Sequence, residues 1–321
     1  MIVVTGGAGF IGSALIWGLN RSGSENILVV DSLAADEKWK NLVNLKFADY
    51  MEKENFLEHL LLDEFKNITA IIHMGACSST LEKNASYLIQ NNFEYTKILA
   101  QYAVEKNIRF IYASSAATYG NGADGYRDTK INGLKPLNMY GYSKHLFDLW
   151  AQGKGMLDKI AGIKYFNVYG PNEYHKDDMR SMINKAFYQI NETGKIKLFK
   201  SYKHEYKDGE QKRDFIYIKD AVDMTLFFIE NKDANGIFNA GTGHARTWND
   251  LAEAVFKAMD KKQNITYFDM PDILKEKYQY FTQADIKKLY DAGYKKPITS
   301  LEAGVTDYVK NYLLKDLYLG A

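Results

Sequence analysis

Cysteine is nearly absent: Cys77 is the only one in 321 residues. One thiol excludes an intramolecular disulfide framework and a cysteine-rich zinc site, and no metal-ligating set is expected. Excess charge of either sign is missing too. Lys and Arg number 41 against 40 Asp and Glu, a net charge of +1. That balance leaves no electrostatic footprint for nucleic acid or an anionic membrane. No apolar run approaches the roughly 18 residues of a membrane-spanning helix. The first predicted strand begins at residue 2, leaving no room for a signal peptide. There is no internal repeat and no low-complexity segment. A cytoplasmic enzyme is the resulting expectation.

What is present has globular proportions. Apolar residues make up 46% and charged residues 25%, enough for one large α/β unit with a smaller lobe. Aromatic content is high at 14%, with Tyr dominant, which suits either a sugar site or an oligomer interface.

The N-terminus carries the clearest local pattern. Ile2-Val3-Val4-Thr5 reads as a buried strand. It runs into Gly6, Gly9 and Gly12 at a Gly-x-x-Gly-x-x-Gly spacing, followed by a helical pattern over Ser13–Leu19. Ile27–Val30 is a second strand, closed by Asp31, 19 residues after Gly12. This is a complete dinucleotide-binding βαβ unit. The glycines allow a tight turn and a close approach of backbone to pyrophosphate, and the helix start offers free N–H groups. An acid at the end of the second strand usually receives the adenosine 2′-hydroxyl and favours NAD. Lys38 or Lys53, however, could neutralise a 2′-phosphate, so the residues alone leave NAD and NADP both open.

Strand and helix then alternate. Lys46–Ala48 is expected as a third strand ending at Asp49, where an adenine could be met. Phe56–Phe65 reads as helix, Ala70–His73 as strand, Tyr87–Val104 as a long amphipathic helix and Ile108–Ala113 as strand. Ile163–Phe166 follows, then Asp214–Ile218 as a strand rejoining the first domain, and Ile237–Gly241. Alternation of this kind predicts an α/β fold, a doubly wound parallel (Rossmann) sheet, with a smaller, mostly helical substrate domain. Residues 1–170 and 213–245 are expected to form the dinucleotide domain, and 171–212 with 246–321 the substrate domain.

Tyr140 and Lys144 are four residues apart, on one face if the segment is helical. An ammonium beside a phenol favours phenolate, and such a Tyr can take the proton of a sugar alcohol as hydride leaves the same carbon. Ser114 and Ser115 close the fifth strand, at the sheet end where active sites of this architecture lie. A serine hydroxyl there can hydrogen-bond the substrate oxygen, and Lys144 can hold the nicotinamide ribose.

These blocks resemble the extended short-chain dehydrogenase/reductase superfamily over nearly the whole length. Tyr112–Gly120, Lys135–Lys144, Tyr165–Pro171, Lys212–Phe215 and Phe281–Asp285 are similar, within it, to the ADP-L-glycero-D-manno-heptose 6-epimerases. The resemblance implies resident NADP, an ADP-heptose substrate from lipopolysaccharide core synthesis, oxidation and re-reduction at C6, and a homo-oligomer, a pentamer in the family. It implies Tyr140 and Lys176 as the two acid/base groups. It further implies cofactor contacts from Phe10, Ile11, Asp31, Ser32, Lys38, Lys53, Gly75, Ala76, Cys77, Ser78, Asn92, Lys144 and Val168. Substrate contacts are implied at Asn167, Asp178, Phe199, Lys200, Ser201, Tyr202, Arg213 and Tyr278, with Arg213 suited to a diphosphate. Three features depart from the family: Met74 where an acid is common, Asp178 where a small hydroxyl residue is common, and a longer Ser201–Gln211 segment. A 4,6-dehydratase would need an acid pair where Ala116 and Ala117 stand. A UDP-hexose 4-epimerase would need only the Tyr140 site. A silent NADP-binding regulator could dispense with Tyr140 and Lys144.

Overall fold

Val3 and Val4 join opposite hydrophobic clusters, and the same alternation runs through every inner strand. The computed structural model describes residues 1–275 and 278–321. Its strands are β1 (Ile2–Thr5), β2 (Ile27–Asp31), β3 (Asp49–Glu52), β4 (Ala70–His73), β5 (Arg109–Ser115), β6 (Ala161–Tyr165), β7 (Asn167–Tyr169), β8 (Ile196–Phe199), β9 (Lys212–Tyr217), β10 (Gly236–Ala240), β11 (Ala245–Thr247) and β12 (Ile265–Phe268). Seven form one parallel sheet in the order β10-β6-β5-β4-β1-β2-β3. The helices that follow are α1 (Phe10–Arg21), α2 (Lys53–Leu61), α3 (Ala85–Leu88), α4 (Tyr95–Glu105), α5 (Met139–Gly153), α6 (Met182–Thr193), α7 (Ile218–Glu230) and α8 (Trp248–Ala258).

Both faces of the sheet are covered, as an all-parallel sheet requires. Val4, Val29, Ile72, Ile111 and Ile163 pack with Leu15 and Ile16 of α1 and Val222 and Met224 of α7. Val3, Leu28, Val30, Ile71 and Phe110 pack with Phe56 of α2, Leu99 of α4 and Phe147 of α5. Helices α1 and α7 touch at Gly18, where a Cβ would lie 2.5 Å from Val222 Cγ1. The sheet order reverses between β1 and β4, and a crevice opens there at the carboxyl ends of the strands.

Three expectations change. Lys46–Ala48 is not a strand. The third strand starts at Asp49, which pairs with Leu28 at the end of the sheet away from the crevice, while Glu52 lies beside Asp31. A short segment with weak alternation leaves the register to pairing with β2. Asp214–Ile218 does not rejoin the seven-stranded sheet. The strand begins at Lys212 and forms a second sheet, β11-β9-β7, because Phe215 pairs with Asn167 just after β6 ends. The helix expected over 87–104 is interrupted by a π-helical stretch, Ile89–Glu94, between α3 and α4. The remaining lobe is built from α6, α8, the parallel pair β8–β12 and helix Leu301–Asn311. Among the described residues, no helix is long and apolar enough to cross a membrane.

Candidate active site

The first βαβ unit builds a cradle by exclusion of side chains. Gly6 has φ +64°, and a Cβ there would meet Gly75 N at 2.6 Å. A Cβ on Gly12 would lie 2.0 Å from the Gly6 carbonyl oxygen. Any larger residue at either position would push the turn apart. Just past Gly9, the first N–H groups of α1 have no intrahelical partners, and the helix dipole favours an anion there. Asp31, at the tip of β2, accepts from Ala8 N at 2.9 Å, Ser32 N at 2.7 Å and Lys38 Nζ at 2.8 Å. Turn, helix start and acid together fit a dinucleotide.

These elements floor a cleft of about 670 Å³. Gly6, Gly9, Phe10, Ile11, Gly12, Asp31 and Lys38 line its nucleotide end. Gly75, Ala76, Cys77 and Ser78, from the loop after β4, form one wall. Ser114, Ser115, Tyr140, Lys144, Asn167, Val168 and Lys176 complete it. Residues from β5, α5, β7 and the loop 174–179 are thus brought to one cavity. Ser32, Lys53 and Asn92 are not part of this lining. Lys53 Nζ donates to Asn91 Oδ1 at 2.7 Å. Asn92 is fully buried and clasps Cys77, accepting from its N–H at 2.8 Å and donating to its carbonyl at 2.9 Å. The same amide donates to Ser143 Oγ at 3.0 Å, which ties the loop to α5.

The two serines do not present equal hydroxyls. Ser114 is 2% exposed and donates to Asp148 Oδ2 at 2.8 Å, so its proton is committed. Ser115 Oγ accepts from Ala117 N at 3.1 Å, leaving its own proton for the cleft.

Electrostatics depart from expectation at Tyr140. Burial pushes its phenol above its ordinary value, opposed by the Ser115 hydroxyl nearby. Burial also lowers the Lys144 ammonium to about 8, with Asp148 and then Cys77 acting to hold its charge. Lys176 is lowered as well, again by burial rather than by Lys144, with Glu173 opposing. Its Nζ lies 5.4 Å from the centre of the Phe10 ring, directly over the nucleotide turn.

The expected substrate residues divide. Asn167 lines the main cleft, and Asp178 is exposed on the loop beyond Lys176. Phe199, Lys200, Ser201, Tyr202, Arg213 and Tyr278 stand outside that cleft. They gather on the second lobe: Phe199 and Tyr278 rings are 6.3 Å apart, and Arg213 lies 5.1 Å from Tyr278 and 5.7 Å from Trp248. Arg213 donates to the carbonyls of Lys212 and Gln279, which engages part of its guanidinium. Lys200 pairs with Asp269 at 3.2 Å, Ser201 N donates to Asp208, and Tyr202 N donates to Tyr280. Beside them a second cavity of about 290 Å³ shares Asn167, Val168 and Met179 with the first and adds Arg180, Lys185 and Trp248. Sequence reasoning missed Arg180, Lys185, His175 and Gln279 here. Each is an ordinary polar residue in sequence, and only folding places it on a cavity wall. Among the described residues, no group of three or more His, Cys, Asp or Glu side chains could hold a metal.

Fold, glycine cradle and Tyr-Lys pair define a nicotinamide-dependent epimerase or dehydratase. Residues 2–241 match the NAD dependent epimerase/dehydratase family, and the chain belongs to it. Within that breadth the similarity is narrower. An ADP-L-glycero-D-manno-heptose-6-epimerase of Nitratidesulfovibrio vulgaris is 54% identical, over 98% of each chain. One from Fusobacterium nucleatum is 50% identical over 99% of this chain and all of its own. The crystal structure of the Helicobacter pylori ADP-L-glycero-D-manno-heptose-6-epimerase has a TM-score of 0.82 at 28% identity, covering 97% of this chain and 95% of that one.

Proposed function

We propose that this chain inverts C6 of ADP-D-glycero-D-manno-heptose to give the L-glycero epimer through a transient 6-ketone, with NADP resident in the cleft. The carrying observation is that two proton carriers from different elements, Tyr140 on α5 and Lys176 on the loop 174–179, line the cavity that holds the glycine turn. Inversion moves the hydroxyl oxygen, so each epimer needs its own acid/base group. Tyr140 serves one and Lys176 the other.

The bound nicotinamide supplies reversible hydride chemistry. Gly6 to Gly12 hold the pyrophosphate, Asp31 and Ser32 the adenosine ribose, and Lys38 and Lys53 a 2′-phosphate. Gly75 to Ser78 and Val168 flank the nicotinamide half. Asn92 fixes the loop that carries Cys77. Lys144 holds the ribose, and the Ser115 hydroxyl hydrogen-bonds the reacting oxygen. Tyr140 removes the alcohol proton as C6 is oxidised. The burial that raises this phenol favours its protonated form, so neighbouring positive charge must develop for it to act. In Lys176, burial favours the neutral amine a base requires. Residues 171–212 and 246–321 form the substrate lobe, where Arg180, Lys185 and Arg213 suit the diphosphate. A homo-oligomer is part of this reading.

The test is incubation of the purified protein with ADP-D-glycero-D-manno-heptose, following C6 configuration by proton NMR. Conversion to the L-glycero epimer is expected. Unchanged starting material, with a UDP-hexose epimerised at C4 instead, overturns the substrate. Mass spectrometry of the nucleotide released on denaturation should give NADP; NAD overturns that part alone.

A further inference from the structure

We propose that Asp148 is a positioning residue for the Tyr140–Lys144 pair: it pins their helix to one rung of the central sheet and holds a fixed negative charge one helical turn behind the Lys144 ammonium. This rests on the epimerase reading of the same cleft.

The rung is defined by register. Ser114 on β5 and Lys164 on β6 are direct partners in the parallel ladder. Asp148 reaches both. Its Oδ2 accepts the Ser114 hydroxyl at 2.8 Å and lies 3.5 Å from Lys164 Nζ. Its Oδ1 accepts the Tyr112 hydroxyl at 2.9 Å, from the same face of β5 two residues earlier. Asp148 and Lys164 are both 0% exposed.

Pairing charges at such depth is a poor route to stability, because desolvation rivals the Coulombic gain. The geometry here is also not the one a stabilising bridge would take. Lys164 Nζ makes no well-formed hydrogen bond among the described residues and sits 4.4 Å over the Tyr119 ring. Asp148 instead directs both oxygens at the hydroxyls of β5, which fixes where α5 sits along the sheet. Lys144 precedes Asp148 by four residues, on the same helical face. The carboxylate is therefore in contact with one buried ammonium, Lys164 from β6, and acts at longer range on a second, Lys144 from its own helix.

Other groups face this pair. Tyr140 and Cys77 flank Lys144, with neutral His73 behind it at the end of β4. His145 adjoins Asp148, and Asp128 reaches Lys164 from the segment between β5 and α5. Of these, Asp148 has the strongest hold on Lys144.

The test is the pH profile of turnover in Asp148→Asn and Lys164→Met, with Lys144 titrated independently by side-chain carbon NMR of cofactor-loaded protein. Asp148→Asn removes the charge, so Lys144 should lose its proton earlier and the alkaline limb should move down by about one pH unit, with kcat affected more than KM. Lys164→Met leaves Asp148 to Lys144 alone, so the limb should move up. Opposite shifts are the expected result. If Asp148→Asn does not fold, the Lys164→Met shift decides. Limbs that stay put in the folded variants, while Tyr140→Phe abolishes turnover, overturn the proposal and leave the epimerase reading intact. Absence of C6 inversion in the unaltered protein removes that reading, and the NMR titration still tests the effect of Asp148 on Lys144.

Discussion

At the residue scale, the site separates side chains that carry protons from side chains that hold them in place. In the proposed mechanism Tyr140 and Lys176 are of the first kind. Replacing Tyr140 by Phe keeps the ring and removes only the hydroxyl, so turnover should fall about 10²–10⁴-fold while the nucleotide stays bound. Steady-state kinetics and nucleotide content on the same preparation check both halves. Lys176→Met should fall comparably for the full inversion. Build-up of reduced cofactor without epimerisation in either variant would show one base working alone. Arg213, outside the main cleft, is itself held in place: two backbone carbonyls and two aromatic faces orient it before any ligand arrives. That Tyr140, Lys144 and the glycines line one cleft was legible in sequence because each belongs to a local spacing. The difference between Ser114 and Ser115 was not, because Asp148 lies 34 residues from Ser114 and only the sheet brings them together.

At the element scale, the close contacts are made by residues without side chains. Helix α1 meets α7 at Gly18, so Gly18→Ala overpacks that crossing and should destabilise the protein by about 1–3 kcal/mol, read from denaturant unfolding. Gly12→Ala should instead abolish nucleotide retention, since the added methyl enters the turn itself. The π-helical stretch is a second device of this kind. It places Asn92 between the loop after β4 and α5. In Asn92→Ala the Cys77 N–H and carbonyl lose their partners, a loss of about 1–3 kcal/mol. Faster hydrogen exchange confined to the loop 74–80 would locate it. A π-turn leaves no periodicity that marks it in sequence, since one extra residue only shifts the apolar stripe.

At the scale of the whole molecule, His73 is one buried source of acid sensitivity, beside His175 and His145, which burial also lowers. His73 is 0% exposed, its Nδ1 accepting the Thr5 hydroxyl at 2.6 Å and its Nε2 donating to Thr96 Oγ1 at 2.9 Å. The tautomer follows from Thr96, whose own proton goes to the Asn92 carbonyl. Burial, with the charge of Lys144, pushes His73 down to about 3. The unfolded chain, near 6.5, then binds the extra proton between those values, so stability is complete above about pH 6.5 and falls as pH drops. About 2 kcal/mol should be lost between pH 6.5 and 5, and unfolding of a His73→Gln variant should lose that slope. A flat profile in the unaltered protein would refute it.

The sequence by itself determined the first βαβ unit, the alternation that makes a parallel sheet and the Tyr140–Lys144 pair, because each is written in spacings of a few residues. The tertiary structure decided which serine keeps a free hydroxyl, where the third strand begins, and how Phe199 to Tyr202, Arg213 and Tyr278 gather on one lobe. Those outcomes depend on contacts between distant segments, whose register and burial no local pattern encodes.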